Sequence, residues 1–184
     1  MKQNPPYKPI KQKPYCCVPA SIAMILNRRG INCGSQDEIG YFLGLIVPRE
    51  KTSLFKKVRT GKKPGAGYGT QVSKKQYSIN HYFQKNNIPL KERYFPPEKI
   101  GNIKKFIISN IRKNNDIIVC FNNKKLHGKG DWGHVSLVQE ITNEDVFLID
   151  PTKFKIKVKL SKLIEAMKYH GKKNRGGVWL ISEK

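Results

Sequence analysis

The chain reads as an α+β protein in which N-terminal helices pack against a C-terminal antiparallel sheet. Three observations predict it. Apolar residues recur at helical spacing in the first part of the chain, as in Ile100, Ile103, Ile107 and Ile111. After Asn115 the pattern changes to short apolar runs divided by polar turns, and Phe154, Ile156, Val158 and Leu160 alternate with Lys155, Lys157 and Lys159. The βαβ alternation of a parallel sheet is missing.

Residues 2–14 carry four prolines and predict an extended arm. Residues 17–30 then predict a helix. Pro19 fits only in its first turn, and Gly30 suits the position just past its end. Ser35-Gln-Asp-Glu38 has the form of a capping box and opens a short helix through about Leu45. Residues 51–71 are basic and glycine-rich and predict a flexible surface loop. Ser73-Lys-Lys-Gln76 is a second candidate capping box, leading to a helix whose apolar face includes Ile79, Tyr82 and Phe83. A further helix starts near Pro97. Strands are expected at 117–121, 135–141, 146–149, 154–160 and 178–182, with a short helix from Ser161 to Tyr169 between the last two.

The 184 residues suit one domain, with residues 1–14 as its arm. A chain of this length buries roughly 70% of its unfolded surface and needs no disulfide or metal staple. No apolar run approaches the ~18 residues of a membrane span. Residues 1–15 lack the apolar stretch of a Sec signal peptide, so the expected location is cytoplasmic, or outside the cell by another export route.

Lys and Arg number 36 against 13 Asp and Glu, a net charge of +23. Residues 51–75 hold eight basic side chains and no acidic one. Such a surface attracts polyanions: nucleic acid, or an acidic protein such as an inhibitor or immunity protein. Dispersed lysines in an Asn- and Ile-rich chain also follow from genome composition, and both readings stand. Cys16, Cys17, Cys33 and Cys120 form no C-x-x-C pair, so no zinc ribbon or thioredoxin-like motif is expected.

One constellation carries chemistry. Cys17 stands at the start of a helix, His134 opens a strand after Gly133, and Asp150 ends the next strand before Pro151. A helix N-terminus carries about half a positive charge, which favours thiolate over thiol, and a neighbouring imidazolium favours it further. A carboxylate can take the other imidazole proton and hold the ring. A hairpin brings such strand ends together.

Gln12-x4-Cys17-x-Pro19-Ala20-Ser21-x-Ala23-Met24-x-Leu26, the Gly133-His134 strand and Asp150-Pro151 resemble the bacteriocin-processing leader peptidases and their stand-alone relatives, which are papain-like cysteine peptidases. The resemblance implies a papain-like fold with Cys17 as nucleophile, His134 as general base and Asp150 as its orienter. It implies that Gln12 donates its side-chain amide to an oxyanion hole, beside the Cys17 N–H. No metal or organic cofactor is implied, because the thiol supplies the chemistry. The substrate would be a peptide or protein. Two positions depart from the family: Val18 stands where glycine is usual, and Cys16 where Asp or Asn is usual.

Other residues have plainer readings. Cys16 points about 100° away from Cys17 around the helix and reads as structural. Cys33 and Cys120 read as core or surface thiols, His81 as solvated and His127 as a loop residue. His170 reads as a cation suited to a helix end. Trp132 either shields the site or anchors a loop. The sequence therefore favours a thiol-dependent peptidase, with a toxin or effector role open to it. The alternatives are a basic papain-like protein acting on nucleic acid, with Tyr68 and Tyr77 stacking bases among lysines, and a catalytically inactive interaction module.

Overall fold

The computed structural model describes every residue except Cys33 and 64–66. The reading of Cys33 and the centre of the basic loop therefore lie outside the described residues. Helix α1 (Cys17–Arg28) is followed by α2 (Gln36–Phe42), β1 (Ile46–Val47) and β2 (Arg59–Thr60). Next come α3 (Ile79–Lys85), β3 (Leu90–Phe95), α4 (Ile103–Arg112), β4 (Asp116–Asn122) and α5 (Asn123–His127). The chain ends with β5 (Gly133–Ile141), β6 (Asp145–Asp150), β7 (Phe154–Lys159), α6 (Leu160–His170) and β8 (Gly177–Glu183). Strands β3 to β8 form one antiparallel sheet in the order β3-β8-β4-β5-β6-β7.

The expected α+β architecture holds, with two refinements. Helices cover both faces of the sheet. On one face α1 packs its buried Ile22, Met24, Ile25 and Leu26 with Ile118, Leu137, Ile149 and Trp179. On the other, Ile103, Ile107 and Ile111 of α4 and Leu163, Ala166 and Met167 of α6 pack with Val119, Phe121, Leu148 and Leu180. The sheet also takes an edge strand, β3, from among the helices. Its buried face holds Leu90 and the charged Glu92, the latter paired with Arg175.

Helix α1 ends as expected. Arg29 is its last capping residue and Gly30 follows at φ +66°, the left-handed conformation that glycine adopts without a Cβ clash. Ser35 and Glu38 form the capping box of α2, but that helix stops at Phe42, where Gly44 turns the chain at φ +68°. The second candidate box forms no helix start. Residues Lys75–Tyr77 make a 3₁₀ turn whose Tyr77 ring lies against Gly44, and the Ser78 hydroxyl caps α3 by accepting the His81 N–H. Residues Pro97–Lys99 are likewise 3₁₀, and Asn102 caps α4. Helix α6 begins at Leu160, without a side-chain cap from Ser161. The stretch 51–71 includes part of the 3₁₀ turn Arg49–Leu54, and β2, which pairs parallel to β1.

The arm is tied down along its length. Gln3 N–H donates to the Gln139 carbonyl (2.8 Å), and Tyr7 is buried with its hydroxyl on Asp116 (2.8 Å). Asp116 also receives Arg28 (2.7 Å) and Arg29 (2.5 Å), so one buried carboxylate joins the arm, the end of α1 and the start of β4.

Candidate active site

Cys17 is the first residue of α1 and is half-buried, packed against the core that α1 shares with the sheet. The first amides of a helix have no partner within it, so the cysteine backbone enters the site with its N–H free of the helical ladder. Pro19 is tolerated in this first turn because the hydrogen it lacks would have had no helical acceptor.

His134 is the second residue of β5 and pairs with Phe121 of β4. Asp150 ends β6. His134 Nε2 donates to Asp150 Oδ2 at 2.8 Å, and the Cys17 side chain is near enough to the ring to favour its charged form. With Nε2 occupied, Nδ1 is the nitrogen left for sulfur. Both partners of the ring come from the sequence-derived set, and the fold brings all three together.

The electrostatics follow from this contact. Burial disfavours a charged imidazole, but the hydrogen bonds to Asp150 and Cys17 outweigh it and push His134 up to about 10. Burial also opposes a charged Asp150. The bonds from His134 and Ser136 and the backbone N–H of Lys153 overcome that, and hold the carboxyl well below its ordinary range. Asp150 Oδ1 accepts the backbone N–H of Thr152 (2.8 Å) and of Lys153 (2.9 Å). The other oxygen, Oδ2, accepts the Ser136 hydroxyl at 2.7 Å as well as His134.

Ser136 escapes a motif search because it belongs to no triad pattern. Its signal is a polar residue two positions after His134, hence on the same strand face, in an otherwise apolar run. His170, read from the sequence as a helix-end cation, is instead held toward the neutral form by burial. It ends α6, and a Cβ at Gly133 would fall 2.5 Å from its Nε2. Glycine at 133 lets the histidine ring lie against the strand beside His134.

Gln12 lies at the end of the arm. Its backbone N–H donates to the Pro151 carbonyl (2.9 Å), which brings it beside the Asp150-Pro151 turn. Its side-chain oxygen is buried without a hydrogen-bond partner among the described residues. Val18 is buried in the core, 5% exposed, so it does not stand in a cleft next to Cys17. Cys16 is fully buried; burial, then the neighbouring Cys17, push it up to about 12. Cys120 is buried on β4, and burial raises its pKa too.

His127 lies on α5, where a loop was expected. His81 is half-buried in α3. Trp132 is 61% exposed, its ring over Gly130 and its carbonyl accepting the Asn123 N–H. The aromatic rings expected to interleave with the lysines are engaged within the chain. Tyr68 packs on Tyr15 with centroids 5.7 Å apart, and Tyr77 meets Gly44 and the Arg59 guanidinium. Among the described residues no helix is long and apolar enough to cross a membrane.

Comparison with known proteins bears on the family and the fold. The sequence profile of the Peptidase_C39 like family matches residues 4–174. No curated protein matches the chain. Among solved structures, a protein described as a C39-like peptidase from Bacillus anthracis superposes with a TM-score of 0.59 at 17% identity, covering 97% of this chain and 95% of that one. A double-glycine-motif protease from an AMS/PCAT transporter, solved in complex with its leader peptide, gives a TM-score of 0.53 at 14% identity, with 100% and 98% covered. At these identities the likeness bears on the fold: it is that of C39 papain-like peptidases.

Proposed function

The chain belongs to the Peptidase_C39 like family, and we propose that it is a cysteine peptidase in which Cys17 attacks a peptide carbonyl with His134 and Asp150 as its partners. The observation that carries the reading is the 2.8 Å bond of His134 Nε2 to Asp150 Oδ2, with the Cys17 side chain near enough to the ring to raise its pKa.

The steps follow from the groups present. His134 holds the proton that the Cys17 thiol gives up, and the sulfur adds to the substrate carbonyl carbon, whose oxygen takes the negative charge. The Cys17 N–H and the Gln12 amide are the donors for that oxygen, and one such donor lowers a barrier by about 3–4 kcal/mol in comparable sites. The bond from the Gln12 backbone N–H to the Pro151 carbonyl (2.9 Å), which holds residue 12 beside the Asp150-Pro151 turn, supports this role. His134 passes its proton to the leaving amine as the C–N bond breaks, leaving a thioester on Cys17. A water then attacks the thioester with His134 as base, releasing the acid and restoring the thiol. Asp150 stays ionised throughout and fixes the ring.

The test is cleavage of an unstructured peptide library, read by mass spectrometry, together with alkylation by iodoacetamide. The wild type is expected to generate new termini and Cys17→Ala none. Cys17 is expected to be alkylated at neutral pH while Cys16 and Cys120, buried with raised pKa values, stay unmodified. Undiminished cleavage by Cys17→Ala, or a wild type that is alkylated at Cys17 yet cuts no peptide, would overturn the reading.

A further inference from the structure

We propose that the outer edge of β7 is a docking strand for an extended acidic peptide segment, which adds to the sheet as a seventh strand close to the candidate active site. The proposal rests on the peptidase reading only in identifying that segment as part of a substrate; the docking itself is independent of it.

The sheet has two edges, and the molecule treats them differently. On β3 the Asn80 side chain imitates a neighbouring strand. Its amide donates to the Glu92 carbonyl (2.9 Å) and accepts the Glu92 N–H (2.6 Å), closing that edge. Strand β7 pairs with β6 alone. Among the described residues nothing bonds to the backbone of residues 155–159 from its other side. An unpaired edge is a template for another backbone.

The edge lies along a groove of about 420 Å³ lined by Ile156, Val158 and Lys159 of β7, Leu126 and His127 of α5 and Lys162 of α6. Side chains on β7 alternate. Ile156 and Val158 are half-buried and join the core beneath α4 and α6, while Lys155, Lys157 and Lys159 are exposed. A partner strand with apolar residues on one face and carboxylates on the other would match both faces.

Two of the lysines already have partners. Lys157 pairs with Asp145 (3.1 Å), and Lys159 with Glu144 (2.8 Å) and Asp145 (3.3 Å), but the two lysines are 60% and 58% exposed. Exposed pairs of this kind are weak and exchange readily for a docked carboxylate. Lys155 and Lys162 add charge with no ion-pair partner among the described residues. A nucleic acid would use these cations but leave the edge N–H and C=O groups unmet, whereas a peptide backbone meets both. A second copy would bring like charges against like and is disfavoured.

The groove also adjoins the site. Phe154, at the head of β7, pairs with Asp150. The His127 ring packs edge-on against Phe121 (5.9 Å), and Phe121 packs edge-on against His134 (5.7 Å).

The experiment is fluorescence anisotropy of the full chain with a labelled eight-residue peptide of alternating Val and Glu, at low salt. Binding is expected. Methylating alternate backbone nitrogens of the peptide, or introducing Lys155→Glu, Lys157→Glu and Lys159→Glu together, is expected to weaken it roughly tenfold or more, and Cys17→Ala to leave it unchanged. The N-methylated peptide is read on the unaltered protein, so a variant that folds poorly does not decide the outcome. Equal binding of the N-methylated peptide, equal binding by the triple variant, displacement by an oligouridylate at matching concentration, or no binding would each overturn the proposal. Docking without cleavage of a peptide carrying this segment would count against the peptidase reading and leave the docking intact.

Discussion

Ser136 and His134 donate to the same oxygen of Asp150, at 2.7 and 2.8 Å. The carboxylate is 1% exposed, so it has no water to replace a lost donor. Four hydrogen bonds fix it, two to each oxygen. Only the one to His134 leads to the sulfur, and the other three set the angle at which the carboxylate meets the ring.

Ser136→Ala removes one of those three and leaves a buried charged oxygen short of a donor. The expected cost to folding is about 1–3 kcal/mol. Turnover is expected to fall roughly tenfold through kcat, with KM little changed, because the ring's orientation is lost and not a substrate contact. Ser136→Thr keeps the hydroxyl and should recover most of the loss. Urea denaturation and steady-state kinetics on a cleaved library peptide check this. A Ser136→Ala enzyme with unchanged kcat would show that the other three bonds suffice.

The pH dependence follows from the two shifts. His134 is raised from an ordinary 6.5 to about 10 in the fold. Its charge therefore stabilises the folded state fully below pH 6.5, and that contribution is lost as pH rises through about 10. Asp150 is depressed. Its contribution is present above its ordinary value and is lost as pH falls through the lower, folded one. Stability should decline on the alkaline side, and His134→Gln should flatten that decline. Activity should fall near pH 10, where His134 no longer holds the proton for the leaving amine. Asp150→Asn, lacking the charge that favours imidazolium, should move that limb toward neutrality. A limb unmoved by Asp150→Asn would assign it to another group.

Three residues that the fold gathers stand out in the sequence by local context: Cys17 by its helix start, His134 by the Gly-His-apolar strand, Asp150 by the Asp-Pro strand end. What was hidden depends on partners far along the chain. Strand β3 reads as a charged stretch because the partner of buried Glu92 is Arg175, and its edge is closed by Asn80. Helix α3 starts at Ser78 and not at Ser73 because Tyr77 packs on Gly44. His170 lies against Gly133, next in sequence to His134, because α6 ends there. Local context picked out Cys17, His134 and Asp150, whereas their neighbours depend on tertiary packing.

Asp116 offers a test of how α1 is anchored. Its carboxylate is fully buried and bonds Arg28, Arg29 and Tyr7, at the opposite end of α1 from Cys17. Asp116→Ala leaves the nearly buried Arg28 guanidinium without a counter-charge and Arg29 with only the exposed Glu183 (3.2 Å). Breaking a buried pair in this way typically costs about 3–5 kcal/mol. The expected result is a large drop in Tm and in the urea midpoint. At low temperature, where the chain is still folded, cleavage should stay within a few-fold of wild type, because no bond to the reacting groups has changed. A loss of activity as large as the loss of stability would show that Asp116 also sets the position of Cys17.

Gly133 and His170 make a pair that a double-mutant cycle can resolve. Gly133 does not adopt a left-handed conformation, so alanine there carries no backbone penalty and its effect is one of space. The added methyl would fall 2.5 and 2.6 Å from Nε2 and Cε1 of His170, closer than carbon can approach. Either the ring swings out or the start of β5 shifts, and His134 is the next residue. Overpacking of this kind costs about 1–3 kcal/mol. Gly133→Ala should lower kcat/KM roughly tenfold, which corresponds to ~1.4 kcal/mol of barrier. His170→Ala alone, which removes the ring and its bond to the Asn174 backbone, should keep near-normal activity. If the ring is the obstacle, combining the two substitutions restores both Tm and kcat/KM toward the His170→Ala values, a coupling that additive effects cannot produce. If the double variant is as impaired as Gly133→Ala, the strand itself does not tolerate a side chain at 133, and His170 is a bystander to the placement of His134.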